Sequence, residues 1–205
     1  MPFPANAKHI LFIHDCLIVW FADSEDPFSP PGVKNMELLE SAIARPFQSV
    51  AGADAYPSDF EKAGALFHSL INNHPFHNGN KRTALISASV YLASCGLWLE
   101  HCSDDELFAF TLDVTTHSIA QHRKSEVKVI SSWLRRHSIK HSICDSLTAH
   151  TDGDCVLKDE QHLLAEGRLG ISYSVSEIIE FRRIFNSAKC LWEQRNSVIR
   201  RLAKT

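Results

Sequence analysis

Residues 58–96, SDFEKAGALFHSLINNHPFHNGNKRTALISASVYLASCG, decide the fold. Ser58-Asp59-Phe60-Glu61 is a capping box, in which a serine hydroxyl and a glutamate three residues later satisfy the first unpaired N–H groups of a helix. Behind it Phe60, Ala63, Leu66, Phe67, Leu70 and Ile71 recur at three- and four-residue spacing, which predicts one amphipathic helix ending near Asn73. Pro75 restricts the residue before it and stops that helix. A second helix is expected from Asn80 or Lys81, with Ala84, Leu85, Ala88, Tyr91 and Leu92 buried and Gly96 past its end. Two helices therefore meet at the nonapeptide His74-Pro75-Phe76-His77-Asn78-Gly79-Asn80-Lys81-Arg82.

That junction has the chemistry to handle phosphate. The first N–H groups of the second helix lack intrahelical partners and sit at the positive end of its dipole, a placement that favours an anion. Gly79 allows close approach of the backbone. Lys81 and Arg82 add full charges, and a guanidinium can make a forked contact with phosphate oxygens. His74 is the natural proton acceptor, because imidazole titrates near neutral pH.

The nonapeptide resembles the His-Pro-Phe-x-Asp/Glu-Gly-Asn-Gly/Lys-Arg signature of the Fic/Doc (Fido) family, and Lys81 makes it similar to the Doc, or death-on-curing, branch. Seven matched residues at fixed offsets arise by chance about once in a billion positions at average usage. The resemblance extends over about residues 4–138 and includes Leu38 to Pro46, Tyr56 to Asn73 and Thr83 to Gly96. It implies an all-α fold: a helical core carrying a small β-hairpin flap, for which 48–56 is the candidate. It further implies transfer of a phosphorus-containing group from ATP to a protein hydroxyl of Ser, Thr or Tyr. In such a site His74 is the catalytic base, Gly79, Asn80, Lys81 and Arg82 hold the nucleotide phosphates, and position 78 holds Mg²⁺. Here that position is Asn78, a neutral amide, so metal binding is expected to be weaker than with a carboxylate.

Two transfers stay open from the sequence. Phosphorylation, as in Doc-like proteins, is favoured by Lys81, whose charge and stem enter the space where an inner phosphate would otherwise sit. Nucleotidylation (AMPylation) is the alternative. A third reading, of another class, is a weakly catalytic or non-catalytic partner-binding protein. The Doc resemblance implies the toxin of a toxin–antitoxin pair, with an antitoxin as partner.

The remaining composition agrees with a soluble enzyme. The 205 residues are 44% hydrophobic with a formal net charge of −3, which gives no global attraction to nucleic acid or anionic membrane. Cysteines at 16, 95, 102, 144, 155 and 190 show no metal or disulfide spacing, so reduced thiols and a cytoplasmic location are expected. Ile10 to Ala22 is apolar but interrupted by His14 and Asp15, and reads as a first core helix rather than a membrane span. Residues 22–33 hold three prolines and three acids and read as loop. Helices are expected from a second capping box at Ser103 through about Ile119, and from about Ser125 to His137, with a short connector or strand at Gly96 to Glu100.

A division is expected after residue 138, with 139–205 forming a polar linker and a C-terminal helical extension. That extension begins at Ser174-Val175-Ser176-Glu177 and carries an apolar stripe from Ile178 to Leu202, with seven basic against three acidic residues on its other faces. A packing helix explains it most simply; nucleic-acid binding is disfavoured for want of interleaved aromatics. Two weaker patterns complete the reading. His137 and His141 have i, i+4 spacing without a third ligand, and Ser176 with Glu180 fits the spacing of the inhibitory helix found in Fic proteins.

Overall fold

A computed structural model describes residues 6–120, 125–140, 186, 189, 190 and 193–204. The architecture is helical, as expected. Helix α1 (Ala7–Trp20) is capped by the Asn6 side chain, which accepts from the His9 N–H. Helix α2 (Met36–Ala44) is capped in the same way by Asn35 and runs into a 3-10 turn, Arg45–Phe47. The strands β1 (Ser49–Val50) and β2 (Ala53–Asp54) then form an antiparallel hairpin over the expected flap. Ala51 and Gly52 both have positive φ, 51° and 81°, the backbone that a tight two-residue hairpin turn demands.

Helices α3 (Asp59–Asn73) and α4 (Asn80–Ser94) form the central pair. Both branches of the Ser58/Glu61 capping box are present. Every residue of α4 from Arg82 to Ala93 is buried, so this helix is wrapped on all sides rather than by one stripe. Such a helix needs small residues on several faces, and Ala84, Ser87, Ala88, Ser89 and Ala93 supply them. On the far side of α3, Gly64 permits close approach of α6 (Glu126–His137): a Cβ there would stand 3.0 Å from Ser131 Oγ and 3.2 Å from Ile130 Cγ2.

Helix α5 (Asp104–Thr115) opens on the predicted Ser103/Glu106 capping box but ends four residues before Ile119. The reason is local. Thr111, Thr115 and Thr116 turn their hydroxyls back on the carbonyls of Leu107, Thr111 and Leu112, and His117 enters the left-handed region at φ 57°. The N–H groups of Ser118 and Ile119 then return to the Asp113 carbonyl and close the helix.

The connector after α4 is a strand, β3 (Leu97–Leu99), and its partner is β4 (Ser138–Lys140), paired as Leu97 with Lys140, Trp98 with Ile139 and Leu99 with Ser138. The expected boundary after 138 therefore falls inside a strand hydrogen-bonded to the helical core. Residues 193–201 are helical and close in a 3-10 turn, Leu202–Lys204. Val198, Ile199 and Leu202 are at most 1% exposed and belong to the same core as α1, α3 and α4. Arg195 donates to the carbonyls of Leu99, Glu100 and Cys102 and pairs with Asp104, while Arg201 meets Asp105 and lies over the Phe108 ring. This segment packs on the helical core. Ser174 to Glu180, His141, Cys144 and Cys155 lie outside the described residues. Among the described residues, no helix is long and apolar enough to cross a membrane.

Ile199→Ala is accordingly expected to cost about 2–4 kcal/mol, the weight of a buried aliphatic side chain and the cavity it leaves. Urea unfolding of the full chain measures it. An unchanged midpoint would return the segment to the status of an independent extension.

Candidate functional site

The α3–α4 junction is fixed by its own side chains. His74, the C-cap of α3, takes the left-handed conformation at φ 47° and leaves its imidazole exposed. Lys34 and Asn35 donate their N–H groups to the Pro75 carbonyl, and the His77 N–H donates to Gly32, so the junction is laced to the segment before α2. Asn80 closes it from the other side: its Oδ1 accepts from the Phe76 N–H and its Nδ2 donates to the Phe76 carbonyl, both at 2.9 Å. The Asn80 side chain is thus an internal bracket. Its backbone N–H, with that of Lys81, stays at the first turn of α4, where an anion is favoured.

Gly79 has φ 76°, and a Cβ there would lie 1.9 Å from Phe28 Cε1. The glycine serves backbone conformation and the close seat of an aromatic ring together. Lys81 is half-buried, and burial followed by the neighbouring Arg82 charge lowers its pKa, so its ammonium is poorly compensated and suited to an anion.

Arg82 departs from the expected role. Its side chain is only 1% exposed, with the guanidinium 3.9 Å from the Phe28 ring centroid and 4.4 Å from that of Phe21. Nη2 donates to Asn78 Oδ1 at 3.0 Å, and Nη1 to the Asp26 carbonyl at 3.4 Å. The fork expected to face phosphate is turned inward, between Phe21 at the end of α1 and Phe28 of the loop 22–33. Burial pushes its pKa down to about 10, against the Asp26 charge, which leaves it cationic at neutral pH.

The same contacts decide the fit of Mg²⁺. Asn78 Oδ1 accepts from the Gly79 N–H at 2.6 Å as well as from Arg82, so both lone pairs of a neutral amide are in use beside a buried cation. A hard divalent ion held at Asn78 does not fit this arrangement.

His14 was not singled out by the sequence as part of the site. It is fully buried, stacks on Phe76 at 3.9 Å between centroids, and places Nδ1 3.0 Å from Thr83 Oγ1 on α4. Nε2 has no partner among the described residues. Burial, with Arg82 nearby, lowers its pKa to about 3, so it is neutral. Only its position in an apolar helix could have drawn attention, and that alone reads as a core histidine. His137, weighed for a metal, caps its own helix instead, with Nδ1 2.8 Å from the Trp133 carbonyl and its ring stacked on Trp133.

The junction therefore presents an exposed imidazole, a helix N-terminus and one half-buried ammonium on a loop held from both sides. Residues 4–92 match the Fic/DOC family model. A Toxin Doc of Mycolicibacterium smegmatis is 46% identical over 67 residues, which cover 33% of this chain and 52% of that protein. The chain thus spans about half the length of that curated relative. No solved structure matches.

Two outcomes follow from this geometry. Gly79→Ala is expected to destabilise the fold through both the clash and the positive φ. Phe28→Ala in the same chain should recover the steric part only, which a double-mutant cycle in urea reads as positive coupling. For His14, the unfolded side chain gains a proton below its ordinary 6.5 while the folded one resists to about 3. Stability should therefore fall by up to about 1.4 kcal/mol per pH unit from this residue as pH drops from 6.5 toward 3. Urea midpoints across that range should flatten in His14→Gln; a parallel slope would assign the acid sensitivity elsewhere.

Proposed function

We propose that this Fic/Doc-type region transfers the γ-phosphoryl group of ATP to a Ser, Thr or Tyr hydroxyl of another protein, acting as the toxin of a toxin–antitoxin pair. The observation that carries the reading is the junction itself: exposed His74 at one end, and the first turn of α4 with the Lys81 ammonium at the other. In this scheme the target hydroxyl gives its proton to His74 as its oxygen attacks the γ-phosphorus. The bond from that phosphorus to the β–γ bridging oxygen breaks, and ADP leaves. Backbone N–H groups at Asn80 and Lys81 and the Lys81 ammonium stabilise the phosphates. Gly79 and the Asn80 bracket keep that turn in place, and Arg82 adds positive potential from behind rather than a direct contact.

Mg²⁺ has no step in this scheme, because Asn78 is committed to Gly79 and Arg82. The Toxin Doc likeness supports the toxin reading and an antitoxin partner. Orientation of the nucleotide separates the proposed transfer from nucleotidylation: Lys81 in the inner phosphate position favours presenting the γ-phosphorus, since in-line attack requires the reacting atom within about 3–3.5 Å of the hydroxyl.

Parallel incubations with α-labelled and γ-labelled ATP test the reading. Label from the γ position is expected on the target, lost by about 10²-fold or more in His74→Ala. Lys81→Gly should shift transfer toward the α position. Label from the α position alone would replace phosphorylation with AMPylation, and no label from either would leave a partner-binding protein.

A further inference from the structure

Away from the junction, side chains from three elements converge. His68 projects from α3, His117 lies two residues beyond α5, and Glu126 is the first residue of α6. His68 Nε2 is 2.6 Å from Glu126 Oε2, and His117 Nδ1 is 3.2 Å from both oxygens of the same carboxylate. One donor atom from each residue falls within 4.8 Å of the others.

These distances are close to those a metal ion needs. In a tetrahedral zinc site with bonds of about 2.0–2.1 Å, neighbouring donor atoms stand about 3.3 Å apart. The His117–Glu126 spacing already meets this, and the His68–Glu126 spacing has to open by about 0.7 Å. Two imidazoles and a carboxylate form the donor set of zinc rather than of magnesium, which prefers oxygen alone. The His117 side chain is 60% exposed, which leaves the fourth position of the ion to water.

We infer that His68, His117 and Glu126 bind one zinc-class divalent ion. The same atoms also have a metal-free arrangement. Arg45 Nη1 donates to His68 Nδ1 at 2.9 Å, which places the ring proton on Nε2 and gives it to Glu126. A metal on Nε2 moves that proton to Nδ1, where it faces Arg45. Arg45 keeps other partners when this bond is lost, because Nη1 also reaches Ser69 Oγ at 3.1 Å and Nε is bonded to Tyr56 Oη at 3.0 Å. Metal binding thus exchanges one tautomer for the other and pins the end of α5 and the start of α6 to α3.

The experiment is zinc titration of the full chain, stripped with chelator, followed by calorimetry and by thermal unfolding. One zinc per chain and a raised Tm are expected, with millimolar Mg²⁺ without effect. His117→Ala and Glu126→Gln should each weaken zinc by more than the roughly 10- to 100-fold that loss of an outer partner costs. Arg45→Gln supplies an amide oxygen for the Nδ1 proton and should tighten zinc by about 10-fold. Absence of zinc binding, or affinity unchanged in both ligand variants, overturns the site. Weaker zinc in Arg45→Gln overturns the tautomer exchange on which the site depends.

Discussion

A buried guanidinium organises the start of α4. Arg82 sits between the rings of Phe21 and Phe28, and its two nitrogens hold Asn78 and the Asp26 carbonyl. An unpaired charge in such a place is costly, so its neighbours are constrained to supply acceptors and aromatic faces. Phe28 reaches the guanidinium only because Gly79 has no Cβ, and Asn78 reaches it only because the junction is bracketed by Asn80. Gly79, Asn80 and Arg82 therefore each have a structural duty beside the one proposed for them in catalysis. Loss of Arg82 would be felt through loop 22–33 and the loop 74–79 alike, and activity alone would not tell the two duties apart.

Much of this was legible in the sequence, for physical reasons that differ from residue to residue. Capping boxes at Ser58 and Ser103, the stop at Pro75 and the seat of Gly79 are local signals, so helix starts and the junction could be placed to within a residue or two. The burial of Arg82 could not, because Phe21 and Phe28 lie more than fifty positions away in the chain and nothing in their spacing points to a cation. The cluster of His68, His117 and Glu126 was hidden for the same reason: it exists only once α3, α5 and α6 are packed. The early end of α5 is a subtler case, since three threonines bonding backward compete with a helix whose apolar pattern continues.

Electrostatics also divide the molecule. At the junction the positive groups, Lys81, Arg82 and the α4 N-terminus, lie in a region where both lowered pKa values trace first to burial. Basic residues of the 193–204 segment meet carbonyls and carboxylates of 99–105, with Lys204 reaching Glu25 of the loop 22–33. The excess basic charge of that segment is thereby largely spent on intramolecular partners. This explains why a helix that looks cationic in sequence need not be a surface for nucleic acid.

The burial of Val198, Ile199 and Leu202 in the core, with the 202–204 turn packed on α4, also bears on how the chain is made. A ribosome delivers α4 roughly a hundred residues before it delivers these three, an interval of about 5–20 seconds at ordinary elongation rates of about 5–20 residues per second. During that interval the apolar wall that they later cover is bare. The junction is thus synthesised early, yet the body that supports it is completed only when residues 198–202 arrive, so the nascent protein passes through a stage exposed to chaperones and to self-association before its site is fully supported.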